Sequence, residues 1–287
     1  MNPWLPMAPC GPATCLTSST PRAAWLRRAL RLAAVALMVL IGTVLALIAR
    51  VSGTARRVWL TSAWSRLALR ALGIRIEVRQ GFAFLAGSAA GLRVASVPEA
   101  APLIVANHVS WLDPLIMAAV LPCRLLTKRE VRGWPVIGGL ATGAGALFID
   151  RDRLSALPEV VGTVARALGE GHPVAAFPEG TTWCGREMGP FRPAVFQAAL
   201  DAGAPVRPVA IRYLGPDGTP VTGAAYVGDD SLAASIQRVA AIRRLTVEVT
   251  LLPPVQARDR RSLAWAAESS IASVVIAPAA HDVRVAA

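Results

Sequence analysis

The first 80 residues of this 287-residue chain hold a single acidic side chain, Glu77, against eleven arginines. Of the formal net charge of +12, +10 therefore sits in that stretch, and the remaining 207 residues are nearly neutral at +2. A nucleic-acid-binding surface carries positive charge on a folded face with stacking aromatics among it. Here the arginines flank an apolar run, which reads as attraction to anionic lipid headgroups, each basic group near the surface contributing about 1 kcal/mol. Nucleic acid is not expected as a partner; membrane lipid is. Lysine occurs once, at Lys128, and the four cysteines (Cys10, Cys15, Cys123 and Cys184) form no C-x-x-C pair. With only three histidines besides, no zinc-ligand spacing can be read, so free thiols are expected, with no metal and no cofactor. The absence of a G-x-S-x-G elbow argues against a serine hydrolase, since Ser110, two residues from His108, lacks the turn that exposes such a nucleophile.

The length fits one catalytic domain with an appendage. A hydrophobic fraction of 54% is high for a soluble protein, so part of the chain is expected to meet lipid. Residues 1–21, rich in Pro, Ser and Thr without periodicity, read as a disordered tail. Residues 22–72 read as a membrane anchor. Within it, Leu32 to Ala49 is uncharged over eighteen residues, about 27 Å as a helix against a hydrocarbon core of ~30 Å. That stretch exceeds a signal-peptide core, and a retained anchor is favoured over a cleaved signal. Arginines on both sides leave its orientation open, and a re-entrant helix is the alternative to a span. Over 58–72, Leu60, Trp64, Leu67, Ala68 and Ala71 recur at helical spacing, an amphipathic helix ended by Gly73 that either packs on the body or lies in the lipid interface.

From residue 73 to 287 the pattern becomes α/β: a mixed sheet flanked by helices. The strands are read at IRIEV, PLIVAN, CRLLT, ALFID, PVAAFP, VRPVAIRY and LTVEVTLL, and helices near 114–121, 157–169, 191–203, 232–242 and 262–276. The stretch Asn107-His108-Val109-Ser110-Trp111-Leu112-Asp113-Pro114 follows an apolar strand and precedes a helical run, with Asp113 suited to the N-cap and Pro114 to the first helical position. His108 thus stands where a strand gives way to a helix, and open α/β sheets bind ligands there. A turn of five residues can bring the Asp113 carboxylate to one imidazole nitrogen and leave the other to accept a proton. Read as a base and its orienter, His108 and Asp113 compete with a plainer assignment in which Asp113 only caps the helix.

Three further stretches lie at strand ends. Gly143-Ala144-Gly145-Ala146-Leu147-Phe148-Ile149-Asp150-Arg151 is a glycine-rich turn and strand delivering Arg151, whose planar donors suit phosphate or carboxylate; Lys128 is a second candidate for an anion. Phe177-Pro178-Glu179-Gly180-Thr181-Thr182 offers backbone N–H groups and hydroxyls for an oxyanion or phosphate. Arg207-Pro208-Val209-Ala210-Ile211 is a strand interrupted by proline, hence an edge or site-lining strand.

In order, NHVSWLD, GALFIDR, FPEGT and RPVAI resemble the four motifs of the glycerolipid acyltransferase family, whose bacterial members include 1-acylglycerol-3-phosphate acyltransferase; the resemblance covers roughly residues 74–255. It implies that His108 deprotonates an acceptor hydroxyl, that Asp113 orients it, and that Arg151, Glu179 and Gly180 bind the acceptor. Asn107, Ser110, Lys128, Gly145 and Thr181, within or beside the motifs, join them as expected substrate contacts. The implied donor is acyl-CoA or acyl-carrier protein, and the implied setting is the cytoplasmic face of the inner membrane. Members acting on lysophosphatidic acid often carry Arg after the Phe-Pro-Glu-Gly motif, whereas Thr182, Trp183 and Cys184 follow here. That continuation is similar to members acting on lyso-ornithine lipid. The acceptor is thus expected to be 1-acylglycerol-3-phosphate, with lyso-ornithine lipid as the alternative and a non-enzymatic membrane adaptor as the reading from another class.

Overall fold

The computed structural model describes residues 6–16, 21–81, 101–134, 136–150 and 154–276. Each of the seven apolar runs forms a strand: β1 (Ile74–Gln80), β2 (Leu103–Ala106), β3 (Arg124–Lys128), β4 (Leu147–Ile149), β5 (Val174–Ala176), β6 (Val206–Leu214) and β7 (Leu245–Leu251). The helices are α1 (Pro12–Cys15), α2 (Trp25–Arg50), α3 (Thr54–Ala71), α4 (Asp113–Val120), α5 (Ile137–Gly143), α6 (Leu157–Gly169), α7 (Ala194–Asp201), α8 (Leu232–Ala241) and α9 (Arg260–Val275). The strands make one sheet in the order β1-β7-β6-β2-β5-β3-β4. Strands β6, β2, β5, β3 and β4 run parallel, β7 is antiparallel to β6, and β1 is parallel to β7. This is the mixed α/β sheet that the sequence indicates.

Central β2 is buried at all four positions, as its unbroken apolar composition requires. Successive side chains of a strand point to opposite faces. Leu103 and Val105 accordingly join a core with Leu168 of α6, Phe196 of α7 and Ile271 of α9, while Ile104 and Ala106 join one with Leu69 of α3, Ile116 of α4 and Val239 of α8. The sheet is therefore covered on both faces, and the carboxyl ends of its five parallel strands point to one rim.

Helix α2 contains the uncharged run and, by length and composition, is apolar enough to cross a membrane. It does not hang free of the body. The Arg31 guanidinium donates to the carbonyls of Ala240 and Ile242 at 3.1 and 2.6 Å. The Trp64 ring of α3 lies against Gly42 and its indole N–H donates to the Met38 carbonyl at 2.9 Å. Gly143 of α5 abuts Ala46, and Arg57 donates to the Ala49 carbonyl at 3.2 Å. Gly42, Ala46 and Ala49 are the buried residues of α2, spaced by about a turn each so that neighbours approach one narrow face. Leu30, Leu37, Leu40, Val44, Leu47 and Ile48 are exposed, as are Trp25 and Trp59.

Four expectations need correction. Residues 6–16, expected to be disordered, carry α1, and Cys10, Cys15 and Leu16 pack against the core; tertiary contact orders a segment too short and aperiodic to order itself. Residues 1–5 and 17–20 lie outside the described residues. Helix α5 was not expected, because Gly138, Gly139 and Gly143 dilute its periodicity. Of the two readings of β6, an edge or a site-lining strand, the edge is wrong and the second holds, since Ile211 and Tyr213 bond Asn107 and Asp113; Pro208 falls just before the β6–β7 ladder, which begins at Val209, so its missing N–H breaks no ladder bond there. Finally, Leu112 and not Asp113 occupies the N-cap of α4, whose first residue is Asp113.

Candidate active site

At the carboxyl rim, β2 runs directly into Asn107 and His108. The Nδ1 atom of His108 lies 2.8 Å from Oδ2 of Asp113. The same oxygen accepts the backbone N–H groups of Val109 and Ser110 at 2.6 and 2.7 Å, and the Tyr213 hydroxyl donates to Oδ1 at 2.5 Å. Asp113 is fully buried, so its carboxylate is held by donors on both oxygens rather than by water. This explains why it does not cap its helix: the loop 108–110 folds back over the carboxylate and takes the hydrogen bonds a cap would have made. The His108 side chain retains 17% exposure, lies stacked on Phe177 with ring centroids 4.3 Å apart, and its Nε2 has no hydrogen-bond partner among the described residues. The geometry is that of an imidazole fixed at one nitrogen and open at the other.

Strand β5 pairs with β2 and delivers Glu179 beside it. Oε2 of Glu179 accepts the His108 N–H at 3.3 Å, while Oε1 is buried without a hydrogen-bond partner. Burial pushes the Glu179 carboxyl well above the usual carboxylate range, and nearby Asp113 adds to the effect; the His108 N–H pulls the other way. Gly180 takes φ of +77°, and a Cβ there would come within 2.7 Å of Pro6, so both the turn and the arm beside it require glycine. Half-buried Thr181 follows. The Thr182 hydroxyl donates to the Tyr226 carbonyl, and the Trp183 N–H donates to the His108 carbonyl at 2.8 Å, tying this loop to the His108 loop.

His108, Asp113, Glu179, Gly180 and Thr181 thus gather at one rim. Other expected residues that are described either stand apart from this cluster or are buried in its support. The Asn107 amide donates to and accepts from the backbone of Ile211 at 3.0 and 2.8 Å and is buried; instead of meeting substrate it bolts the start of the loop to β6. Ser110 is likewise buried, its hydroxyl accepting the Leu112 N–H at 3.3 Å. Gly145 stands at the amino end of β4, the opposite end of the parallel strands from His108, and its carbonyl accepts from Arg124 at 3.0 Å. Lys128 ends β3, with β5 between it and β2, and pairs with Glu130 at 3.2 Å. Arg151 lies outside the described residues.

Sequence reasoning missed Tyr213 and Phe177 as partners of the dyad. Tyr213 is one of two tyrosines in the chain and sits two residues beyond the fourth motif on the same face as Ile211. A buried strand tyrosine needs a partner for its hydroxyl, and that was the available signal. Burial, followed by the charge of Asp113, pushes its hydroxyl well above the usual phenol range.

Residues 93–212 match the family model described as Acyltransferase. Over 207 residues the chain is 35% identical to the 1-acyl-sn-glycerol-3-phosphate acyltransferase of Neisseria meningitidis serogroup B, covering 70% of this chain and 81% of that protein. It is 39% identical over 186 residues to the lyso-ornithine lipid O-acyltransferase of Pseudomonas aeruginosa, covering 64% and 71% respectively. Its fold is similar to the crystal structure of the 1-acyl-sn-glycerophosphate acyltransferase PlsC from Thermotoga maritima, with a TM-score of 0.60 at 16% identity over 86% of this chain and 92% of that one.

Proposed function

The chain belongs to the acyltransferase family of the 1-acyl-sn-glycerol-3-phosphate and lyso-ornithine lipid type, and from that premise we propose that it moves a fatty acyl group from a thioester carrier to a lysolipid hydroxyl, with His108 as general base. The observation that carries this reading is the asymmetry of the imidazole. Its Nδ1 is held by buried Asp113 and its Nε2 is open to the site. As the acceptor oxygen attacks the thioester carbonyl, Nε2 takes its proton; the tetrahedral intermediate collapses and expels a thiolate, which recovers a proton from the imidazolium. No covalent enzyme intermediate is needed. Oε1 of Glu179, buried and unpartnered, receives a hydroxyl of the acceptor in this scheme. Gly180 and Thr181 line the acceptor beside it, with Arg151 and Lys128 as candidate cations for its headgroup. Acyl-CoA and acyl-carrier protein are the candidate donors.

The acceptor is read as 1-acylglycerol-3-phosphate. Lyso-ornithine lipid is favoured by one observation, that the segment directly after Gly180 supplies Thr181 and Thr182 rather than an arginine, and the Thr182 hydroxyl is spent on the Tyr226 carbonyl. We read the enzyme as bound to the inner membrane with its catalytic domain on the cytoplasmic face, where thioester donors are made; the exposed apolar side of α2, with Trp25 and Trp59 suited to the interface, supports the membrane part of that reading. The test is to offer the two lysolipids separately with labelled acyl donor to the wild type and to His108→Ala. His108-dependent acylation is expected, with turnover of the variant lower by ~10²–10⁴. Retention of more than about a tenth of activity would remove His108 from the role of base, and transfer to lyso-ornithine lipid alone would reassign the acceptor.

A further inference from the structure

Three of the four cysteines converge although two of them lie some 170 positions from the third. Cys10 and Cys15 sit on the arm that carries α1, and Cys184 closes the loop that begins at Glu179. Their sulfur atoms all lie within 4.8 Å of one another. Cys184 is buried, and Cys10 and Cys15 are half-buried. We propose that Cys10, Cys15 and Cys184 form a binding site for one thiophilic metal ion, of which Zn²⁺ is the type, and that the ion clamps the N-terminal arm onto the acceptor side of the site.

Chemistry and spacing both favour a metal over the alternatives. Thiolate ligands select Zn²⁺ and other soft or borderline ions. A Zn–S bond of ≈ 2.3 Å in tetrahedral geometry sets the sulfurs roughly 3.8 Å apart, a contraction of at most about an ångström from separations that all lie within 4.8 Å. Three protein ligands leave a fourth position for water. A disulfide would use two of the thiols, strand the third and need an oxidant. The Thr14 hydroxyl lies 3.6 Å from Cys15 Sγ, a further polar contact beside the cluster.

The arm is also seated independently of the sulfurs. Pro6 fills the space beside Gly180, and the Cys10 carbonyl and Gly11 lie against Gly228. Occupancy of the site therefore bears on whether the turn after Glu179 is covered.

The full-length protein in detergent, stripped with chelator and reductant, is titrated with Co²⁺ as a spectroscopic stand-in for Zn²⁺, reading the thiolate-to-metal charge-transfer band and the stoichiometry. One equivalent of metal is expected, with affinity lowered by at least ~100-fold in Cys10→Ala, in Cys15→Ala and in Cys184→Ala, more than the 10–100-fold typical of losing a supporting partner. Cys123→Ala, whose thiol lies elsewhere in the core, should bind as wild type. Because Cys184 is buried, thermal melts confirm folding, and the two arm variants carry the test if the Cys184 variant unfolds. Absence of the band, or binding unchanged in the folded arm variants, overturns the proposal. So does protein isolated metal-free and lighter by two hydrogens that a reductant restores, which would assign the cluster to a disulfide.

Discussion

At the residue scale the site is organised around a carboxylate rather than around the histidine. Asp113 receives two backbone N–H groups, the imidazole and a phenol, so its position is set from several directions and that of His108 follows from it. Tyr213→Phe removes the side-chain hydroxyl bonded to Oδ1, the only one among the described residues. Leaving a buried acceptor unsatisfied costs about 1–3 kcal/mol, and differential calorimetry should show a lower melting temperature by that measure. If the phenol also positions the dyad, the pH profile of kcat shifts in the same variant; an unchanged profile would confine Tyr213 to stability. Glu179 makes a prediction of opposite flavour. Its carboxyl is raised above the ordinary value of 4.5 in the folded protein, so between that value and the raised one the folded state holds the extra proton. Its contribution to stability is then complete below about pH 4.5 and is lost as pH rises through the folded value. Glu179→Gln should flatten the fall in melting temperature above that pH while lowering transfer. A steeper fall in the variant would contradict the sign.

At the scale of elements, α2 presents two different surfaces. Its small residues meet Trp64 and Gly143, and Leu26, Leu30, Leu37, Leu40 and Leu47 are exposed. Helices held side by side against a domain are suited to lie in one leaflet with the exposed apolar face downward. The double substitution Leu40→Asp and Leu47→Asp falls on that exposed face, away from Gly42, Ala46 and Ala49. It should move the protein from the membrane to the soluble fraction on centrifugation while its melting temperature and its turnover of detergent-dispersed lysolipid stay near wild type. Loss of folding would mean that the face packs on protein instead. The elements themselves were largely legible: all seven strands announced themselves as short apolar runs bounded by glycine, proline or charge. Those that were not legible, α1 and α5, owe their order to neighbours, α1 to the core beneath Cys10 and Leu16 and α5 to the turn of α2 that meets Gly143.

For the whole molecule, the legible part of the site was the part that is local in the chain. His108 and Asp113 are five residues apart, and a short loop dictates their meeting. Tyr213 and Cys184 reach the same neighbourhood from other segments, and no spacing in the chain announces a meeting that depends on sheet order. Gly145 shows the converse error. Membership of the second motif made it an expected substrate contact, but it precedes β4 and falls at the end of the strand far from His108. A motif read as a unit is thus divided by the strand it contains, and only its carboxyl end can face the rim where His108 stands.

The edge strand β1 has β7 as its partner, and from Gln80 to Leu245 the ribosome must add 165 residues. At 5–20 residues per second that is a wait of roughly ten to thirty seconds. During this interval α2 and α3 have been made, but the strand that follows them has nothing to pair with. The apolar helices are therefore exposed well before the sheet can close, so that synthesis itself leaves them free to meet lipid ahead of the body that will pack on them.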